Sequence, residues 1–481
     1  MLGSKVRSAG VGAMAVLKRS ARARSWWMLA VVAGAVSVAQ AAEGPFGTVL
    51  RPFSKESPWN SKPVNPRFGS FVIPTSEYVP AIAEGTWSTG VFEAGPSDPP
   101  MTVQGLPNTK GLWHPDSETY GDVTIPRWPA NVVPASGADG HAEIVDPQTG
   151  IVHSFWKLRQ SDGKWVAAQY AWTRIDGRGW GDPAHYFQGA RAAAVPTMAG
   201  LIRKHEVNDG ESMYHHALAM SLTFNGLAAD PAYIFPATSA DRDAEKNTGG
   251  LPEGALVMLP PGFDTQTIRN AAVRKVAETL KTYGAYVVDR NHGTPYVIYV
   301  ETGAGFNLHR GGWNSVAAAD LERIRVGLRQ VVATDGWIDG EGRQFQQDMR
   351  LNLLSMRGPW SVPKGARAGV FDSWRQEVVF PPGTGRVEQT NASGRSMHRV
   401  TWAVPQAGAS YRVTARTTGG ALFRLRLVRP SNGSTVFDSG QLANGQAVNF
   451  SWPQGEVRPV LHAISGDGGE SSVAGDLRRV D

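Results

Sequence analysis

The sequence predicts a mainly β fold: a jelly-roll-like antiparallel β domain with two packed helices, followed by a smaller C-terminal β-sandwich. Three observations support this prediction. Glycine and proline account for 55 and 32 of the 481 residues, which is typical of turns and short strands rather than of a helical bundle. Short apolar runs separated by turn residues fill most of the chain. Two segments have the 3.6-residue periodicity of amphipathic helices.

The first 41 residues have the pattern of a secretory signal peptide. Six basic residues and no acidic one precede or flank an apolar run at residues 26–38, which ends in Ala39-Gln40-Ala41. This run is shorter than the ~18 residues that a membrane-spanning helix needs. We therefore expect cleavage after residue 41, no stable membrane span in the mature chain, and a periplasmic or extracellular location; the alternative is an uncleaved membrane anchor.

Charge and cysteine content exclude several classes of function. The chain has 48 basic and 42 acidic residues, and removal of the six basic residues before Ala42 leaves 42 of each. A neutral mature chain lacks the clustered basic stripe of nucleic-acid-binding proteins, so nucleic acid is not an expected partner. The absence of cysteine excludes disulfides, thiolate metal sites and a cysteine nucleophile.

Beyond residue 41 the composition predicts three segments. Residues 42–132 are rich in Pro, Gly and Ser and predict a loop-rich N-terminal wrap. Residues 133–365 form the expected catalytic or glycan-binding β domain, with helices at residues 265–283, between Asp264 and Gly284, and at residues 315–332. Residues 366–481 contain short strand patterns separated by turns and predict the C-terminal β-sandwich.

The most informative polar stretch is Asp139-Gly140-His141-Ala142-Glu143. Because side chains alternate between the two faces of a strand, the two acids and the histidine are expected on one face. A turn at residues 146–150 predicts a hairpin. Pairing of Val145 with Ile151 would place Glu143 opposite His153, His141 opposite Phe155, and Asp139 opposite Lys157.

This patch contains the groups that glycosidic cleavage needs. General acid–base cleavage uses an acid with a raised pKa and a second group as base or nucleophile. We expect Asp139, His141, Glu143 and His153 to be catalytic, and Lys157 to bind substrate. The same groups suit β-elimination from a uronate, and a solvated face of cross-strand ion pairs is the alternative.

A second candidate group lies in Ser212-Met213-Tyr214-His215-His216, at the start of another predicted strand. We expect His216 to be catalytic and Tyr214 and His215 to contact substrate; the alternative for His216 is a hydrogen-bonded histidine of the core. His215 and His216 point to opposite faces, so they do not ligate one ion together. We expect neither a metal site nor a cofactor.

Two further residues are expected to contact substrate. Asp289 ends a strand just after the first predicted helix, where it would line a cleft, although a turn is the alternative. Trp113 is one of several tryptophans between residues 113 and 180, and such rings suit the apolar faces of sugars. The sequence has no P-loop, G-x-S-x-G, H-E-x-x-H or dinucleotide fingerprint.

The order of several short motifs resembles a broad group of exported bacterial proteins with G-D-x-H and H-A-L strand motifs. The motifs are Asp139-Gly140-His141 to Val145-Asp146, Ala199-Gly200-Leu201, Glu206-Val207, His216-Ala217-Leu218, and Tyr283-Gly284-Ala285-Tyr286 to Val288-Asp289. The resemblance covers roughly residues 55–330 and implies export and action on cell-surface or environmental glycans. The chain departs from the pattern at Ala138, where glycine is usual, and at Ser154, where an acid is expected.

These patterns together predict an exported carbohydrate-active enzyme that cleaves a polysaccharide by general acid–base chemistry. Both glycoside hydrolysis and elimination by a polysaccharide lyase use the residue types found, so both reactions stay open. The alternative is a non-catalytic glycan-binding or envelope-assembly protein. None of the patterns indicates an oligomeric state.

Overall fold

The computed structural model describes residues 44–480 except 118, 183–184, 186, 309–313, 348–349, 352–359, 363–364, 366–368, 372–376, 391–404 and 406. The expected signal peptide lies outside the described residues. Residues Phe46–Asp481 form one compact unit, and the elements below belong to it. No helix among the described residues is long and apolar enough to cross a membrane.

The first thirteen strands precede residue 175. They are β1 Lys62–Val64, β2 Arg67–Phe68, β3 Ala81–Ala83, β4 Gly90–Glu93, β5 Met101–Gly105, β6 Trp113–His114, β7 Thr119–Tyr120, β8 Val123–Ile125, β9 Ala142–Asp146, β10 Ile151–Trp156, β11 Arg159–Ser161, β12 Lys164–Ala167 and β13 Gln169–Arg174.

Both described α-helices lie in the middle of the chain. The elements there are β14 Leu218–Leu222, β15 Leu256–Met258, α1 Ala271–Thr282, β16 Ala285–Arg290, β17 Tyr296–Tyr299, α2 Ser315–Gly327, β18 Arg329–Ala333, β19 Gly336–Ile338 and β20 Gln344–Phe345. Short 3-10 turns occur at Lys204–Glu206, Ala244–Lys246 and Thr265–Thr267.

The C-terminal strands are β21 Arg350–Leu351, β22 Trp360–Val362, β23 Gly369–Phe371, β24 Val378–Phe380, β25 Glu388–Thr390, β26 Ser410–Thr417, β27 Leu422–Val428, β28 Thr435–Asp438, β29 Ala447–Ser451, β30 Arg458–Ile464 and β31 Ser471–Arg479. Strands β26, β29 and β31 form one sheet with β21 and β24, and β25, β30, β27 and β28 form another. Buried residues such as Val413, Phe423 and Leu477 pack in a shared core. The expected C-terminal β-sandwich is therefore present.

Three sheets are layered in the larger part of the chain. Their strand orders are β11-β12-β5-β8, β4-β9-β10-β13-β6-β7 and β2-β18-β15-β16-β14-β17-β3. One face of the six-stranded sheet packs Ile144 and Phe155 against the four-stranded sheet. Its other face packs Val145 and Val152 against the seven-stranded sheet. The far face of the seven-stranded sheet carries both helices.

The predicted mainly β fold with two packed helices is confirmed, and its sheets are mixed. Strand β14 pairs with β16 in parallel and with β17 in an antiparallel arrangement. Parallel neighbours need a long crossover connection, and here the chain between β14 and β16 contains α1. Both helices are shorter than predicted: Asn270 caps α1, while Asp264 caps the preceding 3-10 turn.

The second helix stops where the chain joins a sheet. Leu328, directly after α2, has extended backbone angles, and the next residues form β18, which pairs with β15 and β2. The prediction of helix through residue 332 is therefore wrong at its end. Val331 continues the apolar pattern of the helix because it packs against the core between the sheets. A short apolar run does not by itself distinguish a helix from a strand.

Candidate active site

Four acidic side chains meet between the six-stranded and seven-stranded sheets; we call Asp139, Asp241, Glu253 and Asp289 the carboxyl cluster. Asp139, Asp241 and Asp289 are half-buried, whereas Glu253 is buried. The charge of Asp139 acts on both Asp241 and Asp289. The raised pKa values of Asp241 and Asp289 make this the candidate active site, because acids with perturbed pKa values are typical of catalytic centres.

A β-bulge turns Asp289 toward this site. Met220 pairs with Val287 and Ser221 pairs with Asp289, so Val288 is an extra residue on β16. Strict alternation would direct Asp289 to the helix side, where Val287 packs, but the bulge directs it to the side of Ser221. Bulges frequently re-aim side chains next to active sites.

The carboxyl groups of Asp241 and Asp289 are close enough for each to perturb the pKa of the other. Burial, together with the nearby charge of Asp241, raises the pKa of Asp289 to about 8. Burial also raises the pKa of Asp241. The backbone N–H of Arg290 donates to both residues, over 2.8 Å to Asp241 and 3.0 Å to Asp289.

Arg191 is buried and contacts the side chain of Asp289. Its Nη1 donates to Asp289 Oδ2 over 3.1 Å, and its guanidinium stacks 3.7 Å from the centre of the Tyr299 ring. The side chain is 1% exposed, and its Nε and Nη2 have no hydrogen-bond partner among the described residues. Arg191 is therefore placed to hold Asp289 electrostatically and is too enclosed to meet a substrate directly.

Glu253 supports the loop that carries Asp241. Its Oε1 accepts from the backbone N–H of Asp241 over 2.9 Å. Burial, followed by the charge of Asp241, raises its pKa well above the usual range. Glu253 thus positions Asp241 through this hydrogen bond, and its raised pKa favours its neutral form.

Asp139 is the member of the carboxyl cluster on the side of the six-stranded sheet, and His141 lies beside it. Asp139 Oδ1 accepts from Trp156 Nε1 over 3.0 Å. His141 Nδ1 lies 3.3 Å from the carbonyl oxygen of Phe155; because a carbonyl only accepts, Nδ1 carries the proton. Burial and the charge of Arg191 lower the pKa of His141 to about 3. The imidazole is thus neutral, with its basic nitrogen at Nε2.

Glu143 is near Arg191 but is closed to solvent. Its exposed fraction is 0%, and it accepts from Thr197 N over 2.5 Å, Thr197 Oγ1 over 2.6 Å and Ser154 Oγ over 2.8 Å. Burial raises its pKa to about 7 despite these donors. Glu143 therefore joins the Arg191 loop to the β9–β10 hairpin, a role different from the expected direct contact with substrate.

The predicted register of this hairpin is wrong by one residue. Asp146 pairs with Ile151, and Glu143 lies opposite Ser154 rather than His153. Residues before Ala142 are outside the strand, since Gly140 has a φ of +46°. A slip of one residue exchanges the two faces of a strand, so His153 points away from the carboxyl cluster.

His153 belongs to the core between the four-stranded and six-stranded sheets. Its Nδ1 lies 2.9 Å from the hydroxyl of Tyr170, and burial lowers its pKa to about 4. Its Nε2 has no hydrogen-bond partner among the described residues. The contacts of His153 are those of a neutral core histidine.

The second predicted group forms a separate ionic network before β14. His216 donates from Nδ1 to Ala217 O over 2.8 Å and from Nε2 to Glu206 over 3.2 Å. Burial opposes its charge, but Glu206 outweighs burial and raises the pKa of His216. Tyr214 is buried under Lys275, whose Nζ is 4.5 Å from the ring centre. His215 is exposed and lies 3.6 Å from Glu211.

This network does not join the carboxyl cluster. It lies at the start of β14, whereas Ser221 of the bulge lies near its end, about 10 Å or more along the strand. Trp113 is also separate: its strand, β6, is three positions from β9 in the sheet, and its ring packs 4.8 Å from that of Tyr120. The structure thus brings together Asp139, His141, Glu143 and Asp289, with Lys157 beside Asp139, and separates from them the other expected residues: Trp113, His153, Tyr214, His215 and His216.

Three residues of the site were missed by sequence reasoning. Arg191 is the one charged residue in the run Gly189-Ala190-Arg191-Ala192-Ala193-Ala194-Val195, and a lone charge among small apolar residues is a usable signal of a buried ion. Glu253 stands similarly alone in Leu251-Pro252-Glu253-Gly254-Ala255. Asp241 has no such signal, because residues 241–246 are mostly charged.

Within the described ranges, no group of three or more histidine or acidic side chains has the arrangement of a metal site. No family model and no curated protein matches the sequence. Among solved structures, the chain is similar to a glycosylation-associated protein (Gap123) complex from Streptococcus agalactiae, with 12% identity and a TM-score of 0.17, over 22% of this chain and 37% of that one. It is also similar to accessory secretory protein 1, 2 and 3 of Streptococcus pneumoniae, with 7% identity, a TM-score of 0.17, and coverage of 22% and 80%. Similarities of this size carry no argument about function.

Proposed function

We propose that this protein is an exported carbohydrate-active enzyme that cleaves a polysaccharide by general acid–base chemistry at the carboxyl cluster. The observation that supports it is the half-buried pair of Asp241 and Asp289, which accept from one backbone N–H and in which the pKa of Asp289 is raised to about 8 by burial and by the charge of Asp241. A carboxyl group that stays protonated at neutral pH is the acid that a glycosidic oxygen needs when its bond breaks.

The pair acts as one acid, and Asp139 supplies the second group. Two carboxyl groups that flank a sugar are at least ~5 Å apart in glycosidases, whereas Asp241 and Asp289 lie side by side on one backbone N–H. In the proposed reaction Asp289 protonates the leaving oxygen, and Asp139 acts as base or nucleophile. Arg191 then stabilises the carboxylate that Asp289 becomes, because its Nη1 already contacts Oδ2.

The roles expected for other residues change accordingly. His141 is neutral, and its Nε2 is an alternative base for elimination from a uronate. Glu143 and Glu253 are positioning residues, and both are buried. Glu143 accepts from the backbone N–H of Thr197, in the loop that carries Arg191, and Glu253 accepts from the backbone N–H of Asp241.

Isosteric amides at the acid pair test the proposal. Asp289→Asn and Asp241→Asn, each purified and checked for native circular dichroism, should lower the release of new chain ends from a polysaccharide panel by about 10²–10⁴-fold. An unsaturated, ultraviolet-absorbing product would identify elimination, and new reducing ends without such absorbance would identify hydrolysis.

Asp243→Asn is the matched control. Asp243 belongs to the same loop, but it is exposed and pairs with Lys246 over 2.9 Å, so its loss should leave cleavage unchanged. Full activity in Asp289→Asn would contradict the proposal.

A non-catalytic glycan-binding protein is the second candidate, supported by exposed aromatic side chains. Trp87 and Tyr120 are 54% and 51% exposed, and such rings stack on sugar faces. Binding on a glycan array without any new chain ends after long incubation would favour this candidate. Export is tested separately, by sequencing the amino terminus of the secreted protein, which should begin near Ala42.

A further inference from the structure

The backbone of Lys157 is held in a left-handed conformation beside the candidate active site. Its φ is +56°, in a region that a side chain other than glycine, asparagine or aspartate rarely adopts. Two backbone hydrogen bonds hold it there, from Lys157 N to Asp139 O over 2.7 Å and from Leu158 N to Gly140 O over 3.0 Å. Backbone strain of this kind clusters at ligand-binding sites.

The side chain of Lys157 is fixed in place but its charge is not neutralised. Its Nζ lies 4.4 Å from the centre of the Trp156 ring, and it forms no ion pair with a described residue. The residue is half-buried, so part of its surface is open to solvent.

Trp156 connects this cation to the carboxyl cluster. Its ring contacts Lys157 on one side, and its Nε1 donates to Asp139 Oδ1 over 3.0 Å. The ammonium group and the proposed second catalytic carboxylate are thus separated by a single indole ring. An indole is about the size of a pyranose ring. A sugar bound across Trp156 could therefore place its carboxylate at Lys157 Nζ and its glycosidic bond at Asp139.

We propose that Lys157 binds the carboxylate of a uronic acid residue in the substrate, which makes the substrate a uronate-containing polysaccharide. This inference rests on the proposed function, since it concerns the same site. The other nearby cations are occupied: Arg191 is enclosed and pairs with Asp289, and Arg290 lies 3.9 Å from Asp241. The carboxyl cluster repels the carboxylate of a bound uronate. A cation is therefore needed next to that carboxylate, and Lys157 is placed to supply it.

Two matched polymers test the inference. Polygalacturonate and alginate are offered beside the same polymers with their carboxyl groups chemically reduced. Lys157→Met keeps the apolar stem on Trp156 but removes the charge, so KM for the uronates should rise about ten-fold, with no change for the reduced polymers. The salt dependence of KM should also weaken. Lys164→Met, at an exposed lysine of β12, should behave as wild type.

The outcomes separate this inference from the proposed function. If wild type cleaves a polymer but Lys157→Met affects charged and reduced forms equally, the inference is overturned and the cleavage proposal stands. If wild type cleaves neither but binds oligouronates by calorimetry, and Lys157→Met weakens that binding about ten-fold, the binding site stands and the cleavage proposal fails. Absence of both cleavage and binding of uronates overturns the inference.

Discussion

Asp241 and Asp289 both accept from the backbone N–H of Arg290, although one lies in a long loop and the other at a β-bulge. The bulge directs Asp289 into the space between two sheets, and Glu253 holds the loop so that Asp241 meets it there. Burial and the charge of Asp241 raise the pKa of Asp289 to about 8, because ionisation of both groups would place two like charges close together.

The pH dependence of cleavage should report this pair. Burial and then Asp241 raise the pKa of Asp289 to about 8, so an activity that needs protonated Asp289 falls as pH rises through 8. In Asp241→Asn the neighbouring charge is gone, the pKa of Asp289 falls, and the alkaline limb of the kcat/KM profile should move to lower pH. An unmoved alkaline limb in this variant would show that another group controls it.

Glu143→Gln should lower the free energy of unfolding and should change substrate affinity little. Thr197 and Ser154 donate hydrogen bonds to the Glu143 carboxylate. The amide of glutamine has only one accepting oxygen, and its NH2 group would face one of these donors without forming a hydrogen bond. The expected loss is about 1–3 kcal/mol in the free energy of unfolding, measured with urea. The control is Glu93→Gln, at an exposed residue of the adjacent strand β4. Equal stability of both variants would contradict this role.

His153 should make the protein less stable in mild acid. Burial lowers its folded pKa from 6.5 to about 4, so the unfolded chain binds a proton that the folded chain excludes. The stability from this group is therefore complete above pH 6.5 and falls as pH drops toward 4. Between pH 7 and 5 the loss is about 2 kcal/mol.

The test of this prediction is His153→Asn. The variant loses a contact with Tyr170 at every pH, so it should be less stable overall. Its loss of unfolding free energy between pH 7 and 5 should nevertheless be smaller than that of wild type by about 2 kcal/mol. An identical pH dependence in the two proteins would rule out His153 as the titrating group.

Lys157→Gly should stabilise the fold and weaken uronate binding. Glycine adopts a positive φ without the cost that a β-carbon imposes, about 1 kcal/mol for a left-handed residue. Thermal unfolding should show the gain as a higher midpoint. Lys164→Gly, in a regular strand, should instead lower the midpoint, and a lower midpoint for Lys157→Gly would argue against strain at this residue.

Local patterns in the sequence determined the fold class and most strand positions. The short strand patterns expected after residue 366 correspond to described strands such as β27, Leu422–Val428. Alternation, turn residues and helix caps are set by near neighbours along the chain. The same patterns identified Asp139, His141, Glu143 and Asp289 as candidate site residues.

Only the tertiary structure decided which of these residues form a site. One residue of register separates Glu143 from His153, and one extra residue, Val288, sets the direction of Asp289. Arg191 and Asp241 come from loops whose position depends on the packing of two sheets. Such contacts join residues far apart in the chain, and their geometry follows from bulges, register and sheet packing, which short sequence windows do not encode.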